Sequence, residues 1–270
     1  MHTVSGQHFP PGLKRLEYKS AVDDLEDWAL LLPGKDPSIC IIVLHGHGST
    51  GDQLFTRQNI REAWLPTFSN SGASIVTVNL RGNAWMSPAA ATDLHELLQW
   101  MRAEQGLERT IFYSGSMGGT SNLIYAALYP QDVNAVVALG ATTHLASYYC
   151  WCLDQSLETP HQIAGAIKEA YGGDPSSKKV LFEQHSALQN ATRLTMPIYF
   201  AHGEADVLMP VEQARDLAQA LKHQKYFSYY EIPGGSHDSP LWDKGALEFL
   251  KRQMNENNRH SRAGGNPDGW

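Results

Sequence analysis

No stretch of this sequence approaches the ~20 consecutive apolar residues that a membrane-crossing helix needs, so no membrane partner is expected. Residues Met1 to Lys14 lack a charged segment followed by an apolar one, and no secretory leader is expected there. Cysteine is scarce: Cys40, Cys150 and Cys152 are the whole complement. An odd number without framework spacing excludes a disulfide scaffold. Cys150 and Cys152, one residue apart, are too close to form a zinc site by themselves and read as two small residues in a loop. Basic runs are missing too. The 21 Lys and Arg are scattered among 28 Asp and Glu, for a formal net charge of −7. Neutralising phosphates needs a concentrated positive patch, so no nucleic-acid partner is expected. There is no internal repeat. A cytoplasmic protein is the resulting expectation.

What remains is an ordinary globular composition, 42% hydrophobic and 18% charged over 270 residues. That length suits one large α/β domain or two small ones. Short, β-branched apolar runs recur at 39–44, 73–80, 110–113, 135–139 and 196–201. Being apolar on both faces, they read as inner strands of a parallel sheet. Between them lie segments with helical spacing, at 88–102, 121–129 and 211–221. Strands alternating with helices predict βαβ units with helices on both faces of the sheet. Residues 15–21 and 27–32 read as a leading hairpin. Residues 141–191 break the rhythm and are expected to form an insertion, either a lid or a peripheral helical pair. One domain over 1–254 is expected, with a disordered tail at 255–270.

Chemistry concentrates in the loops that follow the apolar runs. Residues 113–120 (YSGSMGGT) pass from a strand to a helix through the pattern small-x-Ser-x-Gly, with Ser116 at its centre. A nucleophile on so sharp a turn needs small neighbours two residues away on either side, so that strand and helix can approach. The helix N-terminus beneath it favours developing negative charge. Residues 45–48 (HGHG) end the run at 39–44. Acyl transfer needs two donors aimed at an oxyanion, and the N–H groups of Met117 and His47 are the candidates, with Gly48 as an alternative to His47. A metal site made of His45 and His47 is geometrically possible, but no third ligand stands at matching spacing. After the run at 196–201 comes HGEADVLMP (202–210), which offers Asp206 as the buried acid behind a histidine, with Glu204 as competitor. GGSHD (234–238) offers His237, whose imidazole exchanges a proton near neutral pH. The remaining histidines, His202 and His185 among them, read as structural or surface groups.

Four segments, HGHG at 45–48, SGSMGG at 114–119, HGEADVLMP at 202–210 and GGSHD at 234–238, together resemble the α/β-hydrolase superfamily over about residues 15 to 252. Residues 79–83 (NLRGN) look like the loop after the fourth strand of that superfamily. The chain is most similar to esterases of the dienelactone-hydrolase and prolyl-oligopeptidase-like branch. It departs from the first in carrying Ser116 where cysteine is common, and from the second in having no propeller. The resemblance implies an α/β fold, a mostly parallel central sheet with helices on both faces and a lid-like insertion. It also implies the chain order Ser116, Asp206, His237 for nucleophile, acid and base, a small-molecule carboxylic ester as substrate, and no cofactor or metal. A peptidase, amidase, thioesterase or acyltransferase would use the same residues, and a non-catalytic binding protein is the remaining alternative. Trp85, Tyr148, Tyr149 and Trp151 offer aromatic surface either for lining a substrate pocket or for packing the insertion onto the sheet.

Overall fold

A computed structural model describes residues 1–6 and 8–255. Its strands are β1 (His2–Thr3), β2 (Lys14–Lys19), β3 (Glu26–Leu32), β4 (Asp36–Leu44), β5 (Ala73–Val78), β6 (Arg109–Gly115), β7 (Ala135–Leu139), β8 (Ile198–Gly203) and β9 (Phe227–Ile232). They form one sheet in the order β1-β2-β3-β5-β4-β6-β7-β8-β9. The expected hairpin is there, β2 against β3 with Lys14 opposite Leu31. β3 runs antiparallel to β5, and every later pairing is parallel.

The helices are α1 (Gln53–Thr56), α2 (Gln58–Asn70), α3 (Pro88–Gln105), α4 (Met117–Leu128), α5 (Leu145–Leu153), α6 (Glu158–Ala170), α7 (Lys179–Gln184), α8 (Val211–Leu221) and α9 (Lys244–Asn255). Helix α3 shows how the sequence sets its limits. Pro88 sits at the first helical position behind Ser87, and Gly106 closes the helix at φ 70°.

The apolar runs are apolar throughout because both faces of each strand are covered. Along β4, Cys40, Ile42 and Leu44 join one core cluster; Ile39, Ile41 and Val43 join the other. Period-two alternation therefore divides the run between two layers rather than between core and water. The first layer includes Leu94 and Leu98 of α3, Leu123 and Ile124 of α4, and Leu217 of α8. The second includes Ile60, Trp64 and Phe68 of α2 with Phe249 and Leu250 of α9.

Residues 145–184 of the expected insertion carry α5, α6 and α7. Cys150 and Cys152 lie inside α5 and not in a loop, Cys150 exposed and Cys152 buried. The run 145–153 is apolar enough to dock as a helix, and His144 caps it by accepting the Ser147 N–H. The tail expected to be disordered lies, beyond Asn255, outside the described residues. No helix among the described residues is long and apolar enough to cross a membrane.

Candidate active site

Strand β6 ends at Gly115 and α4 begins at Met117, leaving Ser116 alone in the turn with φ 58° and ψ −129°. A residue with a side chain occupies that region only under constraint from its surroundings. Here the Ser116 N–H donates to the Leu139 carbonyl at 2.7 Å, and the Ser116 carbonyl accepts the Thr120 N–H at 2.9 Å. The neighbouring glycines sit at close contacts, Gly118 against backbone and Gly115 against a side chain. A Cβ on Gly118 would overlap the Leu44 carbonyl, and one on Gly115 would overlap the Leu241 side chain. Ser114 contributes more than small size. Its Oγ accepts the Leu44 N–H at 2.8 Å and donates to Asn122 Oδ1 at 3.3 Å, tying β4, β6 and α4 together beneath the turn.

The loop after β9 brings His237 to this turn, its Nε2 lying 2.9 Å from Ser116 Oγ. The Nδ1 atom lies 2.7 Å from Asp206 Oδ2, so that nitrogen carries the proton and Nε2 offers its lone pair to the hydroxyl. The Asp206 side chain is fully buried in the loop after β8. Its Oδ1 accepts the N–H groups of Leu208 and Met209 at 2.8 and 2.9 Å. Burial by itself raises the carboxyl pKa, but hydrogen bonds from His202 and His237, the electrostatic attraction of the His237 ring and the Met209 N–H outweigh it and hold the group well below the usual carboxylate range. Glu204, the competing acid, instead accepts the Gly234 N–H at 2.8 Å and braces the histidine loop from outside.

Two further groups take part: His202, read from sequence as structural or surface, and Gln53, which the sequence did not mark. His202 is fully buried, its Nε2 3.0 Å from the Met209 carbonyl and 3.3 Å from Asp206 Oδ2. It reaches the same carboxylate as His237, and its Nδ1 has no partner among the described residues. Gln53 of α1 accepts the Gly46 N–H through Oε1 at 2.8 Å. The spacing of His202 from Asp206, four residues on, was a signal available in the sequence; nothing marked Gln53.

The HGHG loop leaves its donors unequal. The Gly46 N–H goes to Gln53, and the Gly48 N–H goes to Asn83 Oδ1 at 2.8 Å. Among the described residues no acceptor takes the N–H of His47 or of Met117. Gly48, the alternative to His47, is thus already committed. The His47 ring accepts the Trp85 Nε1–H at Nδ1 over 3.3 Å. Burial, then the neighbouring His45, lower its pKa and keep it neutral. Both nitrogens of His45 face backbone carbonyls, of Gly46 at 2.8 Å and Asn79 at 2.9 Å, which turns its ring away from a shared metal with His47.

A cavity of about 220 Å³ opens beside Ser116 and His237, walled by Ile60, Trp64, Leu241, Leu208 and Met209 and by Thr159 and Ile163 of α6. The insertion therefore reaches the site. Of the two roles open to the four aromatics, lining is not the one seen: none of Trp85, Tyr148, Tyr149 and Trp151 borders this cavity. Trp85, Tyr148 and Trp151 pack on one another, with centroids 5.6 and 5.8 Å apart, and Tyr149 is buried beside them. The Tyr148 hydroxyl donates to the Leu208 carbonyl at 2.9 Å. Large flat rings stack most favourably against each other under the insertion, so they support the walls from behind. Smaller apolar groups from α2, α6 and the Asp206 loop face the space.

Comparison with known proteins agrees with this fold. A family model described as the alpha/beta hydrolase fold matches residues 39–159. Esterase LipC of Mycobacterium tuberculosis is 35% identical over 65 residues, 23% of this chain and 16% of that protein. Lipase 1 of Psychrobacter immobilis is 29% identical over 137 residues, 46% of this chain and 41% of that one. The matched part is thus less than half the length of either relative. Among solved structures, the fluorophosphonate-binding serine hydrolase FphF of Staphylococcus aureus superposes with a TM-score of 0.70 at 15% identity, covering 92% of this chain and all of that one. A mostly parallel sheet, a serine held in the sharp turn after β6 and these likenesses lead to one assignment: the chain is a protein of the α/β-hydrolase fold.

Proposed function

We propose that this chain is a serine esterase that works through an acyl-enzyme. The observation that carries the reading is the unbroken path from Ser116 Oγ to His237 Nε2 at 2.9 Å and from His237 Nδ1 to Asp206 Oδ2 at 2.7 Å. Ser116 attacks the acyl carbon while His237 takes its proton, and Asp206 orients the imidazole and stabilises the imidazolium. The free N–H groups of His47 and Met117 receive the oxyanion, each contributing ~100- to 1,000-fold in rate. His237 then protonates the leaving alcohol, and water repeats the sequence on the acyl-enzyme.

The names of the relatives, an esterase and a lipase, favour the ester over the amide. The cavity volume of about 220 Å³ lies below the roughly 300–1,000 Å³ of drug-sized ligand sites, which favours a small substrate. The α5–α7 segment serves as a cap, since Thr159 and Ile163 of α6 face the cavity. Three free cysteines fit a reducing, cytoplasmic setting.

A panel of p-nitrophenyl esters of increasing acyl length, run beside matched anilides and thioesters, tests the reading. Turnover should be highest on short esters and lost in Ser116→Ala. Wild-type turnover in Ser116→Ala, or anilides or thioesters hydrolysed faster than the esters, would overturn it.

A further inference from the structure

The cavity wall also carries charge that hydrolysis alone does not call for. Arg57 is the one Lys or Arg among the described residues that line it, and Asp238 is the one acid. Arg57 sits in the joint between α1 and α2, where its backbone is extended at φ −80° and ψ 106°. Helical spacing from there puts Ile60 and Trp64 on the same face, so the guanidinium borders the space those two residues wall.

The contacts of this guanidinium are sparse. Its Nε donates to Asn59 at 3.1 Å, and one terminal nitrogen stands 3.6 Å from Asp238 Oδ2. A charge-assisted bond measures roughly 2.7–2.9 Å, so this pair is loose. Elsewhere the chain makes tight arginine pairs: Arg215 grips Glu231 with two bonds of 2.6 and 3.0 Å, and Arg81 holds Asp23 at 2.8 Å. Arg57 and Asp238 are also 39% and 52% exposed, where ion pairs contribute little. Beside them Gln53, anchored through Oε1, has no acceptor for its Nε2 among the described residues. The rim next to Ser116 is therefore rich in unsatisfied donors, and its one carboxylate is weakly held.

We propose that Arg57 selects esters that carry a carboxylate of their own, and that Asp238 is a weak internal competitor for the same guanidinium. The planar guanidinium fork matches a carboxylate with two parallel bonds, and the Gln53 amide adds a third donor. A substrate carboxylate docking there displaces Asp238 and fixes the ester against Ser116. This inference rests on the esterase reading and names the substrate class of the same site.

The test compares kcat/KM for two matched pairs, p-nitrophenyl hydrogen glutarate against p-nitrophenyl valerate, and 4-acetoxybenzoate against phenyl acetate. The pairs place the charge on the acyl side and on the alcohol side of the bond. In at least one pair the charged-to-neutral ratio should fall about tenfold in Arg57→Gln, the effect of one hydrogen bond to a charged group, and should rise in Asp238→Asn. A ratio that stays within about twofold of wild type for both pairs in Arg57→Gln overturns the inference while leaving the esterase reading standing, as does a fall in Arg57→Gln without a rise in Asp238→Asn. A wild-type protein that hydrolyses none of the four compounds overturns both.

Discussion

Ser116 keeps a φ of 58° because its N–H and carbonyl are both committed and because glycine lets Leu44 and Leu241 approach on either side. The strain is held by contacts that single substitutions remove. Gly118→Ala drives a methyl into the Leu44 carbonyl, and overpacking of that kind costs about 1–3 kcal/mol; a lowered Tm together with lost turnover is the expected result. Asp206→Asn leaves the two backbone donors at Oδ1 something to bond but removes the charge behind His237. The imidazole then loses its preferred tautomer, and kcat at neutral pH should fall by about 10⁴-fold. Glu204→Gln, which keeps the acceptor for Gly234, should turn over near the wild-type rate, and kcat measured for these two variants side by side separates the acid from its sequence neighbour.

At the scale of elements, the loop from Asn79 to Ser87 holds the site in place. Leu80, Arg81, Trp85 and Met86 all adopt positive φ there. Arg81 fastens it, with its guanidinium on Asp93, Asp23 and Ser20 and its N–H on Asp27. Asp93 is fully buried, so Arg81→Ala strands a charge in the interior. Such a break costs about 3–5 kcal/mol, read by denaturant unfolding, and it should slow turnover as well, because Asn83 on this loop holds Gly48.

The same loop is latched to the insertion. His185 lies 2.9 Å from the Met86 carbonyl through Nδ1, and the Tyr171 hydroxyl donates to the Trp85 carbonyl at 3.0 Å. Burial lowers the His185 pKa from 6.5 to about 4, against the smaller opposing pull of the Met86 carbonyl. The unfolded chain therefore takes up this proton first as pH falls. The contribution is full above about 6.5 and is lost between there and about 4. At about 1.4 kcal/mol per unit the full loss approaches about 3.5 kcal/mol, and about 2 kcal/mol of it falls between pH 7 and pH 5. Denaturant titrations at pH 7 and pH 5 should show this drop in the wild type and a shallower one in His185→Gln.

The inner strands and α3, α4 and α8 were legible in the sequence because their patterning is strong and local. Helix α4 begins at Met117, four residues before the apolar spacing starts, since small residues occupy its first turn. Helix α2 was not read. Its buried face is only Ile60, Trp64 and Phe68, and Pro66 lies inside it.

For the whole molecule, the parallel strands step outward from β4 in both directions, β5 on one side and β6 on the other. The HGHG loop after β4 and Ser116 after β6 thus meet at the point where the strand order reverses, outside the carboxyl ends of the strands. Asp206 after β8 and His237 after β9 reach the same rim from the sheet's far half. Ser116, Asp206 and His237, which the fold brings together, and the uncommitted N–H groups of His47 and Met117 were legible because each lies in a turn or loop soon after a strand run, and topology does the rest. The cavity wall was not legible. Arg57 and Trp64 come from the start and body of α2, and Thr159 and Ile163 from α6, and their convergence depends on how those helices pack. The sequence left Trp85, Tyr148, Tyr149 and Trp151 open between lining and packing, and only the way the helices pack decides for the second.

The central claim is that Ser116 is the one hydroxyl activated in this molecule. Intact-mass measurement after exposure to a fluorophosphonate, followed by peptide mapping, addresses it directly. A single adduct on the peptide containing Ser116, absent in Ser116→Ala and strongly slowed in His237→Ala, is the result predicted here. An adduct on another residue, or equal labelling of the wild type and Ser116→Ala, would contradict it.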